Sequence, residues 1–551
     1  MKIKILSLAL LGCSVVSFAQ KQKQKQPNII LIMVDDMGYS DIGAYGSEIH
    51  TPNLDRLAAE GLRLREFYNN SICAPTRASL LTGQSNHKAG VGYFNVNLGL
   101  PAYQGYLNRE SLTLAEVLKQ AGYSTLMSGK WHVGDDSIAW PNQRGFDRFF
   151  GFIGGASNYY DIHGYTDKAP PVPLVENNQR INLAPGKYLT DEIAGHAVQF
   201  LEEQSKTNKP FFLYVAYNAP HWPLQAQPED IARYRGRYSI GWDSLRSERF
   251  ARQKQLGLIP ANSTIAPDPE VPAWESLTWD EQQLWQRKME VYAAMIDRMD
   301  QGVGKILQTL KALQKDDNTL IVFISDNGAQ GGFIPTGRKR PRSSGPIGTA
   351  GSYDYQEQSW AHVSNTPFRS YKASAYEGGI SSPLIAWFPG TIKAGSIATG
   401  TAHLIDLAPT FYEFAGAQYP ATYQQVKTNP LQGVSLAGLF REGTAISRPQ
   451  PLCWERAGNR AVRKGKWKIV SSYPSREWEL FDIAADRAET RDLAAAHPEV
   501  VKELAADYAQ WAKANDVVDY EKIKPQGNQG FAAPTGANTA AAPQNRRREN
   551  R

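Results

Sequence analysis

The sequence predicts an α/β fold: a large, mixed but mostly parallel sheet flanked by helices, followed by a small C-terminal subdomain of antiparallel sheet and helix. Three observations predict it. Continuous apolar runs recur along the chain, segments of helical period lie between them, and beyond about residue 445 the runs become short and hairpin-like. The first run, Asn28-Ile-Ile-Leu-Ile-Met-Val34, is apolar at every position after Asn28, as a strand buried on both faces requires. Similar runs follow at Tyr123 to Met127, Phe211 to Tyr217, Leu320 to Ile324 and Pro383 to Phe388. Helical patterns cover Asn53 to Glu60, Leu112 to Gln120, Asp191 to Glu203 and Glu290 to Leu313. Strands alternating with helices argue for helices on both faces of one sheet.

Two stretches break the alternation. Residues 225–285 are polar, carry Pro and Trp, and lack a strand signal, which predicts an inserted surface segment. Residues 331–365, rich in Gly, Ser, Arg and Pro, predict a long loop. In the C-terminal part, Arg460 to Val470 predicts a hairpin around Gly465. Trp478-Glu-Leu-Phe481 follows as a strand, and Pro498 to about Ala514 as a helix. The expected boundaries are 27–445 for the main domain, 446–525 for the subdomain and 526–551 for a tail whose composition suits disorder.

The ends also explain the charge. The chain has 551 residues and a net charge of +6. Five lysines in residues 1–26, and four arginines against one glutamate in 526–551, contribute eight of those charges, so the body carries −2. A near-neutral body gives no argument for nucleic acid as a partner. Lys2 and Lys4, the apolar stretch Ile5 to Phe18 and Ser17-Phe18-Ala19 fit a signal peptide over 1–19, with 20–26 as a linker. Leu10-Leu-Gly-Cys13 offers a second reading, a lipoprotein anchor at Cys13. No other segment is apolar enough to span a membrane.

Only Cys13, Cys73 and Cys453 occur, few for an exported protein. A Cys73–Cys453 disulfide is one arrangement; a buried, apolar Cys453 is the other. Cys73 lies in Ser71-Ile-Cys-Ala-Pro-Thr-Arg-Ala-Ser-Leu-Leu-Thr-Gly83. Pro75 suits a first helical turn and Gly83 a helix stop, which puts Cys73 at a helix N-terminus, where backbone N–H groups favour an anion. Arg77 follows one turn later on the same side.

Four polar clusters follow the apolar runs: Asp35-Asp36, Lys130-Trp-His132, Asn218-Ala-Pro-His221 and Asp326-Asn327. In open α/β sheets ligands bind beyond the carboxyl ends of the strands, so the four clusters should meet at one edge. An isolated Asp-Asp or Asp-Asn is usually a cap or turn. Together, Asp35, Asp36, Asp326 and Asn327 offer only oxygen ligands, which suits a hard cation such as Ca²⁺ or Mg²⁺.

The C-x-P-x-R string with its Leu-Leu-Thr-Gly continuation resembles the sulfatase signature. Gly129-Lys-Trp-His-Val-Gly134, Val34-Asp-Asp-Met-Gly-Tyr39, Ser325-Asp-Asn-Gly328 and Tyr371-Lys-Ala-Ser-Ala-Tyr-Glu-Gly-Gly379 resemble further sulfatase motifs. The resemblance runs from about Asn28 to Leu493. It implies an alkaline-phosphatase-like sandwich that hydrolyses an aryl or carbohydrate sulfate ester. It implies that Cys73 is oxidised to Cα-formylglycine, by a formylglycine-generating or anaerobic sulfatase-maturating enzyme. Asp35, Asp36, Asp326, Asn327 and the modified Cys73 are the implied ligands of Ca²⁺ or Mg²⁺. Lys130, His132 and Lys372 are implied near the sulfate, and Arg77 beside the nucleophile. His221 matches the proton donor to the leaving group, and Ser157 is a further candidate contact. The implied setting is an exported bacterial protein, periplasmic or secreted. A phosphate mono-/diester or phosphonate hydrolase of the same superfamily, and a silent sulfoglycan-binding protein with an intact Cys73, remain alternatives.

The chain departs from the pattern at one place. Many sulfatases read E-G-G-x-R-V-P where this sequence has Glu377-Gly-Gly-Ile-Ser-Ser-Pro383, with Ser381 in the arginine's position. The substrate pocket is expected from loops 92–110 and 331–365, with Tyr93, Phe94, Tyr103, Tyr159, Tyr160, Arg338, Lys339 and Trp360 as candidates.

Overall fold

The computed structural model describes residues 26–161, 172–332 and 343–524. The expected signal peptide, the linker up to residue 25, Cys13, Arg338, Lys339 and the tail from 525 lie outside the described residues.

The core is a ten-stranded sheet built from β1 (Asn28–Val34), β2 (Leu62–Tyr68), β3 (Ser124–Gly129), β4 (Arg148–Phe152), β5 (Leu174–Glu176), β6 (Gln179–Ile181), β7 (Phe211–Ala216), β8 (Thr319–Ser325), β9 (Leu384–Trp387) and β10 (Ser396–His403). Their order across the sheet is β10-β2-β9-β8-β1-β7-β3-β4-β5-β6. The five central strands β8, β1, β7, β3 and β4 run parallel, while β9 and β5 run against them.

The pleat of β1 explains its unbroken apolar run. Ile29, Leu31 and Met33 face one core, with the helices Cys73–Thr82, Leu114–Gln120 and Leu407–Ala415. Ile30, Ile32 and Val34 face the other, with Pro52–Glu60, Leu189–Ser205 and the long helix Trp279–Ala312. Register keeps the strand ends level: Val34 pairs with Ser325, Met33 with Ala216, and Ala216 with Gly129. The residues that follow these strands therefore share one edge.

The C-terminal region is a four-stranded antiparallel sheet, Leu452–Arg456, Asn459–Lys464, Trp467–Ser471 and Glu479–Asp482, with the helix Pro498–Ala514. One face, with Trp454, Ala461, Val470 and Phe481, joins the first core. The other, with Val462, Ile469 and Leu480, is covered by Leu504 and Tyr508 of that helix.

Two expectations are corrected. Residues 225–285 do lack strands, but they are not merely a surface insertion. The helix Gly241–Gln255 buries Trp242, which packs with Trp274, Trp285 and Trp360 at ring distances of 4.8–5.6 Å. Arg249 on the same helix pairs with Asp41 at 2.6 Å and Glu48 at 2.8 Å. Residues 343–356 form the expected loop, but the helix Glu357–Ser364 takes its last part, where Trp360 completes this aromatic cluster. Cys73 and Cys453 are both free thiols, so the disulfide arrangement does not form. Cys453 is half-buried against the C-terminal helix layer, where burial raises its thiol pKa.

Candidate active site

The helix Cys73–Thr82 begins at Cys73, after an extended Ile72 that provides no side-chain cap. Its first N–H groups are thus open to an anionic group at residue 73. Gly83 ends it in the left-handed conformation at φ 68°. Every residue of the helix is buried. Burial pushes the Cys73 thiol above its usual pKa. Lys130 and Lys372 pull it down, and Asp35 and Asp326 push it up, so all four act on this one sulfur. A thiol held protonated is a poor nucleophile.

The four clusters meet here. Lys130 Nζ lies 2.5 Å from Asp35 Oδ2, and Lys372 Nζ 2.6 Å from Asp36 Oδ1. Arg77 donates to Asp326 Oδ2 at 3.1 Å and to the Lys130 carbonyl at 3.1 Å, and its guanidinium stands 3.9 Å from Asp35 Oδ1. Asn327 Nδ2 donates to Asp36 Oδ1 at 2.7 Å. His221 Nε2 is 3.5 Å from Asp36 Oδ2, while its Nδ1 donates to the Trp222 carbonyl at 2.6 Å. A carbonyl only accepts, so Nδ1 carries a hydrogen and Nε2 is the nitrogen turned toward the cluster. Asp36 holds its place with φ 64° and His132 with φ 61°, both left-handed conformations uncommon for such residues.

Charges this close shift one another. Burial opposes ionisation of Asp35, but Lys130, His221 and Arg77 hold its carboxyl well below the usual range. Burial and the charge of Asp35 push Asp326 well above it. Burial also works against Lys372, yet Asp36 keeps its ammonium firmly protonated. Burial lowers His132, with Lys130 and Arg77 acting the same way. Burial lowers His221 too, with Asp36 opposing.

Among the described residues several buried polar atoms here have no hydrogen-bond partner: Asp35 Oδ1, Asn327 Oδ1, both ring nitrogens of His132, and both polar atoms of the Asn218 amide. Such atoms are rare inside proteins. Asp35, Asp36 and His221 also bring ligand atoms within 4.8 Å of one another. A cluster of carboxylate and amide oxygens with two of them unpartnered fits a hard divalent cation.

The remaining candidates make the following contacts. Ser157 is buried, and its hydroxyl donates to the Asn158 carbonyl, a local contact. His132 packs its ring edge-on against Phe94 at 4.8 Å and sits over Gly155, where a Cβ would come within 2.5 Å of Nε2. Tyr103, Tyr159 and Trp360 are fully buried. Tyr159 donates to the carbonyls of both Asn218 and His221, which fixes the loop that carries His221. Tyr160 donates to the Ala226 carbonyl, and Tyr93 stacks on Tyr520.

Sequence reasoning passed over three supports. Thr76 donates to the Asp326 carbonyl at 2.8 Å and ties the helix of Cys73 to the end of β8. Tyr214, on an apolar strand, places its hydroxyl 3.4 Å from Arg77 Nη1. Glu377 anchors the segment after Lys372. Thr76 and Glu377 had a local signal, their places in the C-x-P-x-R string and the Glu-Gly-Gly motif; Tyr214 had none.

Comparison with known proteins agrees with this geometry. The sulfatase family profile matches residues 27–417, and a profile for the C-terminal part of N-sulphoglucosamine sulphohydrolase matches 370–513. An uncharacterised sulfatase of Schizosaccharomyces pombe is 36% identical over 520 residues, covering 89% of this chain and 94% of its own. An arylsulfatase of Klebsiella aerogenes is 37% identical over 435 residues, covering 76% and 93%. The crystal structure of Ps i-CgsB in complex with a neocarrahexaose superposes with a TM-score of 0.67 at 28% identity, covering 89% of this chain and 94% of that one. The chain belongs to the sulfatase family, and it is an enzyme that hydrolyses sulfate esters.

Proposed function

We propose that this sulfatase acts on a carbohydrate sulfate ester, with residue 73 as its nucleophile after oxidation to Cα-formylglycine and with a divalent cation beside it. The observation that carries the reading is the convergence on Cys73 of two lysines, an arginine and an oxygen-rich cluster with unpartnered Asp35 Oδ1 and Asn327 Oδ1. The N-acetylgalactosamine-6-sulfatase of Rattus norvegicus, 30% identical over 482 residues, and the neocarrahexaose complex favour a sugar as the esterified alcohol.

Asp35, Asp36, Asp326 and Asn327 would hold the cation, Ca²⁺ or Mg²⁺, which would supply positive charge next to the reacting sulfate. The aldehyde at residue 73, when hydrated, would supply an oxygen nucleophile that can later release sulfate by returning to the aldehyde. Lys130 and Lys372 bind the sulfate oxygens and stabilise the charge that grows on them. Arg77 keeps Asp326 and Asp35 oriented and adds charge beneath residue 73. His221, fixed through Nδ1, turns Nε2 toward the cluster; it would give a proton to the departing sugar oxygen only from its doubly protonated form, which Asp36 favours against burial. His132, whose ring nitrogens have no hydrogen-bond partner among the described residues, is held neutral by burial and so has a nitrogen open to a proton late in the cycle, as a weak base. The N-terminal sequence supports work outside the cytoplasm, where sulfated glycans are met.

Mass spectrometry of the peptide that carries residue 73 tests the reading. A loss of mass matching thiol to aldehyde is expected in active enzyme, and unmodified Cys in fully active enzyme overturns it. A panel of regiospecifically sulfated sugars, with p-nitrophenyl phosphate as control, then identifies the substrate.

A further inference from the structure

Lys372 reaches the cluster from a segment whose own backbone is pinned on three sides. Its N–H donates to the Ala329 carbonyl, Ala373 donates to Ser71 O at 2.7 Å with φ 73°, and Asn69 donates to Ile380 O at 2.8 Å. The short helix Glu377–Ile380 closes the segment. Glu377 is fully buried, and its carboxylate accepts from Tyr68 at the end of β2 (3.0 Å), from Lys468 (2.9 Å) and from Arg487 (3.1 Å). Its N–H donates to Glu489 Oε2 at 2.7 Å, and Lys468 sits 2.8 Å from Glu489 Oε1. Lys468, Arg487 and Glu489 all come from the C-terminal region.

Arg487 does more than pair with Glu377. Its Nη2 donates to Ser381 Oγ at 2.7 Å, its Nη1 to the Arg65 carbonyl, and its guanidinium stacks over Phe368 at 4.6 Å. Ser381 is the position at which many sulfatase sequences carry an arginine. We propose that Arg487 is a positioning residue for Lys372. It reaches in from the C-terminal subdomain, grips both ends of the helix Glu377–Ile380, and supplies from a distant part of the chain the guanidinium that position 381 lacks. This rests on the assignment of Lys372 to the sulfate given above.

The test uses the full chain, with the extent of conversion at residue 73 matched by mass spectrometry and thermal unfolding followed for every variant. Arg487→Ala should lower kcat/KM for p-nitrophenyl sulfate about tenfold or more, because small displacements of a charge-stabilising group are costly. In a Lys372→Ala background the same change should add less than about twofold, since it acts through a side chain already removed. Ser381→Arg in the Arg487→Ala protein should return kcat/KM to within about threefold of wild type, the non-additivity expected of residues in contact. Arg487→Lys keeps one charge but not the fork that spans Glu377 and Ser381; it should fold and show the same non-additivity with a smaller loss. Losses that multiply in the double variants, or an Arg487→Ala enzyme within twofold of wild type, overturn the proposal. Wild-type turnover in Lys372→Ala overturns the assignment of Lys372 itself, and the proposal with it.

Discussion

Two buried charge clusters lie on either side of the segment 372–377, and they are built differently. Around Glu377, each main charge has a counter-charge within 3.1 Å: Lys468 with Glu377 and Glu489, and Arg487 with Glu377. Around Cys73 the charges are paired as well, Lys130 with Asp35 at 2.5 Å, Lys372 with Asp36 at 2.6 Å and Arg77 with Asp326 at 3.1 Å. Among the described residues, however, Asp35 Oδ1, Asn327 Oδ1, the Asn218 amide and both nitrogens of His132 lack a hydrogen-bond partner, against Glu489 Oε1 alone in the other cluster, itself 2.8 Å from Lys468. A matched cluster holds parts together, while an unmatched one is short of something a ligand can bring. The difference teaches that the two clusters are alike in charge pairing and differ in how many polar atoms are left without a hydrogen bond, which supports the one at Cys73 as the place for a ligand.

The comparison can be broken first at residue 73. Cys73→Ala should lower kcat by about 10³-fold or more, as expected when a nucleophile is lost, with the thermal midpoint changed little. Residual turnover within tenfold of wild type would show that the unmatched cluster is not the reacting one. Next in size is the metal. Chelation followed by desalting should remove activity, and Ca²⁺ or Mg²⁺ should restore it, as read from sulfate release. Asp35→Asn should lower kcat/KM about 10²-fold or more, the scale of one lost charge-stabilising group.

The matched cluster should behave oppositely. Lys468→Met leaves Glu489 without its counter-charge and Glu377 with Arg487 alone, and should cost about 3–5 kcal/mol in denaturant unfolding, the range for breaking a buried pair. If it changed turnover but not stability, the contrast between the clusters would fail. The smallest effect is in pH. Burial, together with the charge of Glu377, raises Glu489 to about 7 against Lys468, which works the other way. The folded protein then binds a proton that the unfolded chain releases near pH 4.5. The contribution from Glu489 is fully present below that and is lost as pH rises toward 7. A series of thermal midpoints between those limits should fall, and Glu489→Gln should flatten the trend.

The sequence carried the centre of the sheet because β1, β7 and β8 are buried on both faces and so are apolar throughout. It hid β2, Leu62-Arg-Leu-Arg-Glu-Phe-Tyr68, in which Arg63 and Arg65 alternate with buried Leu62 and Leu64. It also hid β10, whose Ser, Thr and Gly suit an outer strand that is only half buried. The grouping of Asp35, Lys130, His221 and Asp326 followed from their places just after strands. Arg487 and Lys468 had no such signal. They act on Glu377 across about a hundred residues, and only the docking of the C-terminal sheet brings them there.

The bond from Ala373 to Ser71 also sets an order of events. Cys73 is 2% exposed in the finished fold, and Ala373, which bonds the Ser71 carbonyl two residues before it, is made three hundred residues later. At about 5–20 residues per second, a ribosome needs ~15–60 s to travel that distance. An enzyme that must reach the thiol would then be working against a clock, and the time allowed would be written in the separation between residue 73 and residue 373.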